Sequence, residues 1–107
     1  MDIDTSVVCI LGKALVSMGP LYIKCLKNSK LVIGEGCFFN HNCSITCAGE
    51  ILIGDNCNFA NNVVIVDHDH KVSIEGVKKD LIVESVKIGD SVWGGANGTI
   101  LKGVRIG

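Results

Sequence analysis

An apolar residue returns at a strict step of six along much of this 107-residue chain, and that step limits what the chain can fold into. From Ile33 it lands on Phe39 and Ile45, and from Ile53 on Phe59 and Ile65. From Ile88 it reaches Gly94, Ile100 and Ile106. Four residues after these starts stand Cys37 and Cys43, then Cys57 and Val63, then Val92, Gly98 and Val104. A helix repeats every 3.6 residues and a long strand alternates every two, so neither holds one face at a step of six. A short strand followed by a turn does. Three such units make a coil of 18 residues, which is the distance from Ile88 to Ile106.

Three of the starts open a longer phrase of aliphatic residue, Gly, acid and turn residue: Ile33-Gly-Glu-Gly, Ile53-Gly-Asp-Asn and Ile88-Gly-Asp-Ser. Ile53 follows Ile33 by 20 residues, so the first coil carries two extra residues near Ala48-Gly49-Glu50. Ile88 follows Ile53 by 35 residues, which leaves 71–87 outside the repeat as a loop excursion. A loop this long in a compact domain tends to carry function. The organisation expected is one domain over 1–107: an irregular N-terminal coil over 1–32, hexapeptide coils over 33–70 and 88–107, and the excursion between them. Gly94 and Gly98 stand where the repeat wants Ile and Val, so that turn is expected to lose core volume and be softer than its neighbours.

Composition excludes several classes. Ten basic residues against eleven acidic ones give a net charge of −1, so there is no electrostatic case for nucleic acid or an anionic membrane. No apolar run reaches the ~18 residues of a membrane span, and Asp2 and Asp4 stand where a secretory signal wants basic residues. The expectation is a cytoplasmic protein with no membrane insertion. The six cysteines include no CxxC, and several occupy repeat positions that Val or Ala would fill, which points to reduced thiols packed in a core.

The repeat resembles the left-handed β-helix of hexapeptide-repeat acyltransferases. Within that group it is similar to the sugar O-acetyltransferases, such as the galactoside, maltose and capsular-polysaccharide enzymes. The resemblance covers most of 19–107. It implies an all-β fold, a left-handed parallel β-helix with one long loop excursion. It also implies acetyl transfer from acetyl-CoA to a saccharide hydroxyl, and a homotrimer with active sites between adjacent subunits. The repeat is specific for fold and weak for chemistry, because nucleotidyltransferase tails and carbonic anhydrases use similar coils.

Chemistry concentrates in Asp67-His68-Asp69-His70, where two of the three histidines alternate with carboxylates just before the excursion. Acyl transfer to a hydroxyl needs a base of near-neutral pKa, and imidazole supplies one. A neighbouring carboxylate can fix the tautomer and stabilise the protonated ring. The resemblance puts the base at His70, the corner from which the loop leaves, with His68 the fallback; Lys71 replaces the proline usual after it. The competing readings are a merely polar loop and a His–carboxylate metal site of carbonic-anhydrase type. No metal is assigned.

Phe38-Phe39-Asn40-His41-Asn42-Cys43 resembles the segment with which the galactoside-type enzymes hold the acceptor, which makes Asn40 a substrate contact, together with Asp69. His41 reads as exposed and structural. Val92-Trp93-Gly94-Gly95-Ala96-Asn97 resembles the phrase that lines the acetyl-CoA channel. It implies that Trp93 frames the thioester and that the backbone N–H at Ala96 faces its oxygen. The chain stops at Gly107, just as a coil begins, whereas the resembling enzymes continue with coils that hold the rest of coenzyme A. The expectation is therefore an incomplete cofactor site and an open end covered by a partner. The alternative is a truncated, inactive member kept as a trimeric binding or assembly module.

Overall fold

The computed structural model describes the backbone of residues 2–3, 7–73, 76–100 and 105–106, and the side chains of residues 7–68 and 83–100. β1 (Asp2–Ile3) precedes a first set of three strands, β2 (Val8–Leu11), β3 (Val16–Ser17) and β4 (Leu21–Cys25). A second set is β5 (Lys30–Ile33), β6 (Phe38–Phe39) and β7 (Cys43–Cys47), and a third is β8 (Glu50–Ile53), β9 (Asn58–Phe59) and β10 (Val64–Val66). Then come β11 (His68–Ser73) and β12 (Gly76–Val83). A fourth set follows, β13 (Val86–Ile88), β14 (Trp93–Gly94) and β15 (Thr99–Ile100), and β16 (Arg105–Ile106) opens the next turn. No helix occurs among the described residues, so none there is long and apolar enough to cross a membrane.

With β11 and β12 set aside, every third strand returns to the same sheet. Three parallel sheets result, ordered β1-β4-β7-β10-β15, β16-β13-β8-β5-β2 and β14-β9-β6-β3. The registers follow the sequence phrases: Ile33 pairs with Ile53, Ile53 with Ile88 and Ile88 with Ile106. The fold is all-β, and strands dealt in rotation to three parallel sheets are consistent with a β-helix. The first set keeps this order too. Leu21–Cys25 pairs residue by residue with Cys43–Cys47, so the segment before Ile33 also makes a complete turn.

The step-six residues form one core. Ile33, Phe39, Ile45, Ile53, Phe59, Ile65, Ile88 and Ile100 are all buried, as are Cys37, Cys43, Cys57 and Val63 four residues further on. The Phe39 and Phe59 rings stack with centroids 4.9 Å apart at 17°. A Cβ placed on Gly94 would lie 2.9 Å from Phe59 Cδ1. The large ring of one coil thus occupies the volume that the glycine of the next gives up. The expected void at Gly94 is filled from its neighbour.

Corners explain the polar residues. Gly36, Asn42, Asn56, Asn62, Ser91 and Asn97 all have φ between 57° and 71°, the left-handed region in which Asn and Gly are least penalised. In the Ile-Gly-acid phrase, Glu35 N–H donates to Asp55 Oδ1 at 2.8 Å, and Asp55 N–H to Asp90 Oδ1 at 2.7 Å. A side chain on Gly34 would run into Asp55 and the Gly54 backbone, so this corner requires glycine. Ser91 is the costlier tenant of a left-handed corner. Ser91→Asn should raise stability by about 1 kcal/mol in urea unfolding, because Asn tolerates the left-handed φ of 58° better and the backbone N–H bond to the Asp55 carbonyl is kept.

The thiols also sit at corners. Cys37 donates to the Gly54 carbonyl at 3.1 Å, Cys57 to Gly89 at 3.1 Å and Cys43 to Ala60 at 3.2 Å, all carbonyls of the following coil. Each thiol fills core volume and satisfies a carbonyl, which Val could not do. All six cysteines are free; five are buried and Cys9 is half-buried. Burial pushes the Cys47 thiol from 9.0 up to about 12, with the Asp67 carboxylate and Cys25 adding to the shift. Above pH 9.0 the folded state therefore holds a proton that the unfolded state has lost, so stability should fall as pH rises from 9.0 towards about 12. At neutral pH a thiol reagent should find Cys9 first, and the buried five only after denaturation.

Candidate functional site

The excursion leaves the coil earlier than the repeat suggests, and its described backbone forms two strands. β11 and β12 pair antiparallel as a hairpin, with His68 opposite Val83, Asp69 opposite Ile82 and His70 opposite Leu81, and a register shift between His70 and Val72. The hairpin springs from the corner between the sheets containing β10 and β13. Its root is tied by Glu84 N–H donating to the Asp67 carbonyl at 3.0 Å.

Asp67 organises this corner. Its side chain is 0% exposed. Oδ1 accepts the Ala48 N–H at 2.7 Å, and Oδ2 accepts those of Gly49 and Glu50, each at 2.8 Å. The Cys47 thiol lies 3.7 Å from Oδ2. These donors belong to the turn where the first coil carries its two extra residues, so the insertion wraps successive N–H groups around one carboxylate. A side chain on Gly49 would strike Val83 at the hairpin root, which keeps this turn small. His68 completes the group: Nδ1 stands 3.1 Å from Asp67 Oδ1, and the imidazole is 13% exposed.

A buried carboxylate holding an imidazole is the arrangement that acid–base chemistry uses. In the sequence Asp67 is the first of five polar residues in a row and carries no mark of its own. The available signal was the two-residue excess at 48–50, whose partner only folding reveals. The side chains of Asp69 and His70 lie outside the described residues; their backbones belong to β11.

The other candidates gather on a different side. Trp93 is 73% exposed on β14, opposite Asn58 of β9. With Phe38, Asn40, Asn58, Phe59 and Ala60 it lines an open recess of about 360 Å³. Asn40 is half-buried there, and its Oδ1 accepts the His41 N–H at 2.9 Å, which leaves a second lone pair on Oδ1 beside the Nδ2 donors. Ala96 is exposed in the turn beyond β14. His41 is exposed, with its ring over Gly19. Asn40 and Trp93 thus share one recess on the β3-β6-β9-β14 side, whereas 67–70 leaves from the corner between the other two sheets. Among the described residues no group of three or more His, Cys, Asp or Glu side chains is placed to hold a metal ion.

Over 89 residues the chain is 37% identical to a Saccharomyces cerevisiae protein named "Putative acetyltransferase YJL218W". The match takes in 82% of this chain and 44% of the relative, so the chain spans less than half of that protein's length. No family model matches the chain, and no solved structure matches it.

The clamp at Asp67 makes a stability prediction. Asp67→Ala leaves three N–H groups of the 48–50 turn without their acceptor. At about 1 kcal/mol for each half-buried donor stranded, the loss should be about 3 kcal/mol in denaturant unfolding. The amides of Ala48, Gly49 and Glu50 should show the largest gain in hydrogen exchange.

Proposed function

We propose that this chain is part of a hexapeptide-repeat acetyltransferase, wound as a left-handed β-helix, that transfers the acetyl group of acetyl-CoA to a saccharide hydroxyl. The observation that carries this reading is the Asp67–His68 pair at the root of the hairpin, in a chain similar to a relative named as an acetyltransferase. His70, two residues along β11, is the base that the sequence resemblance favours, and His68 is the second candidate.

The chemistry needs no protein nucleophile. The acceptor oxygen attacks the thioester carbonyl carbon while its proton passes to the imidazole. The tetrahedral oxyanion then collapses, the C–S bond breaks, and the imidazolium returns the proton to the departing sulfur. The products are an acetyl ester and the free thiol. Backbone N–H groups near Ala96 would stabilise the oxyanion, which in other acyl-transfer sites is worth ~3–4 kcal/mol. Trp93 and Phe38 would flank the pantetheine arm, while Asn40 and Asp69 orient the sugar.

In one chain the recess and the 67–70 segment lie on different sides of the core. A single site containing both therefore draws on two copies, in keeping with a homotrimer. An outer row of Ile10, Val32 and Leu52, adjacent through the registers of β2, β5 and β8, offers an apolar surface for such packing. Free thiols suit a reducing compartment such as the cytoplasm.

Calorimetric titration with acetyl-CoA, combined with a transfer assay over a panel of saccharides, tests the proposal. His70→Ala should keep acetyl-CoA binding while turnover falls about a hundredfold or more. Asn40→Ala should raise KM for the saccharide. A wild-type protein that neither binds acetyl-CoA nor acetylates any saccharide overturns the reading.

A further inference from the structure

Of the two carboxylates in the 67–70 segment, the one described in full faces inward. Both Asp67 oxygens accept backbone N–H groups, and Oδ1 also meets His68 Nδ1 at 3.1 Å. A carboxylate only accepts hydrogen bonds, so the nitrogen facing it carries a proton. In the neutral ring the lone pair then belongs to Nε2. The three N–H bonds fix the carboxylate, so the direction of the imidazole is set by the Ala48–Glu50 turn of the preceding coil and not by the hairpin alone.

We infer that Asp67 is a positioning residue that holds His68 as the Nδ1–H tautomer with Nε2 as its accepting nitrogen. Its role in turnover is exerted through His68. The effect on transfer rests on the acetyltransferase reading above; the tautomer does not. The two-residue excess of the first coil lies in the turn whose three N–H groups fix the carboxylate.

Asp67→Asn is the informative change. The side that meets two N–H groups, from Gly49 and Glu50, selects the amide oxygen, which turns the amide NH2 towards His68 Nδ1 and takes from the Ala48 N–H its acceptor. The ring should switch to the Nε2–H tautomer. Imidazole ¹⁵N shifts read this directly, with His41→Gln and His70→Gln giving the assignment. Wild-type His68 should be Nδ1–H, and D67N should be Nε2–H. A wild-type Nε2–H ring overturns the inference whether or not D67N folds.

The second readout is kinetic. D67N and H68Q should each lower kcat about tenfold or more, with KM for acetyl-CoA within about threefold, and the double variant should be no worse than H68Q alone. Losses that multiply would show Asp67 acting independently of His68 and overturn the inference. If wild-type protein acetylates nothing, the acetyltransferase reading fails, and the ¹⁵N spectra still decide the tautomer.

Discussion

A chain that must change direction every six residues needs backbone conformations that most L-residues avoid, and this protein depends on supplying them in register. Asn42, Asn62 and Asn97 stand at one corner of successive coils, and Gly36, Asn56 and Ser91 at another, all left-handed. Because equivalent corners stack, each also serves its neighbour: Asn62 Nδ2 donates to Asn97 Oδ1 at 3.0 Å, and Asn62 N–H to the His41 carbonyl at 2.9 Å. The strands between corners are only two to five residues long. Strands that short would not persist alone; they hold because the turns place each against the coil before and after.

Much of this was legible in the sequence because the repeat carries its own ruler. The step of six named Ile33, Phe39, Ile45 and their successors as inward-facing, and each described member other than Gly94 is buried. The asparagines were readable as turn formers. Gly94 was misleading, since a single sequence shows the missing side chain but not the Phe59 ring that occupies its place. The excursion was legible as an interruption but not as a hairpin. Its polar start and apolar end obscure the pairing of His68–Ser73 with Gly76–Val83.

The candidate site was half legible. Asp67-His68-Asp69-His70 stood out by composition, and Asn40 and Trp93 by resemblance; the structure sets the latter two around one recess. What one-dimensional reading could not supply was the difference between the acids. Asp67 is consumed by backbone donors from 17 to 19 residues earlier in the chain, a relation that spans one coil and leaves no local pattern. Burial of that carboxylate also reaches the thiols, since it helps push the Cys47 proton towards permanence.

The Phe59–Gly94 fit bears on how such a protein can be altered. Volume along the column beneath β6, β9 and β14 is shared between successive turns, so no layer owns its space. Restoring the consensus aliphatic residue at Gly94 alone would force the aromatic ring out of its stack with Phe39. The same replacement would be accommodated only where a smaller side chain stood at Phe59. Drift at these two sites is therefore coupled, and a regularised version of the repeat must redesign them together.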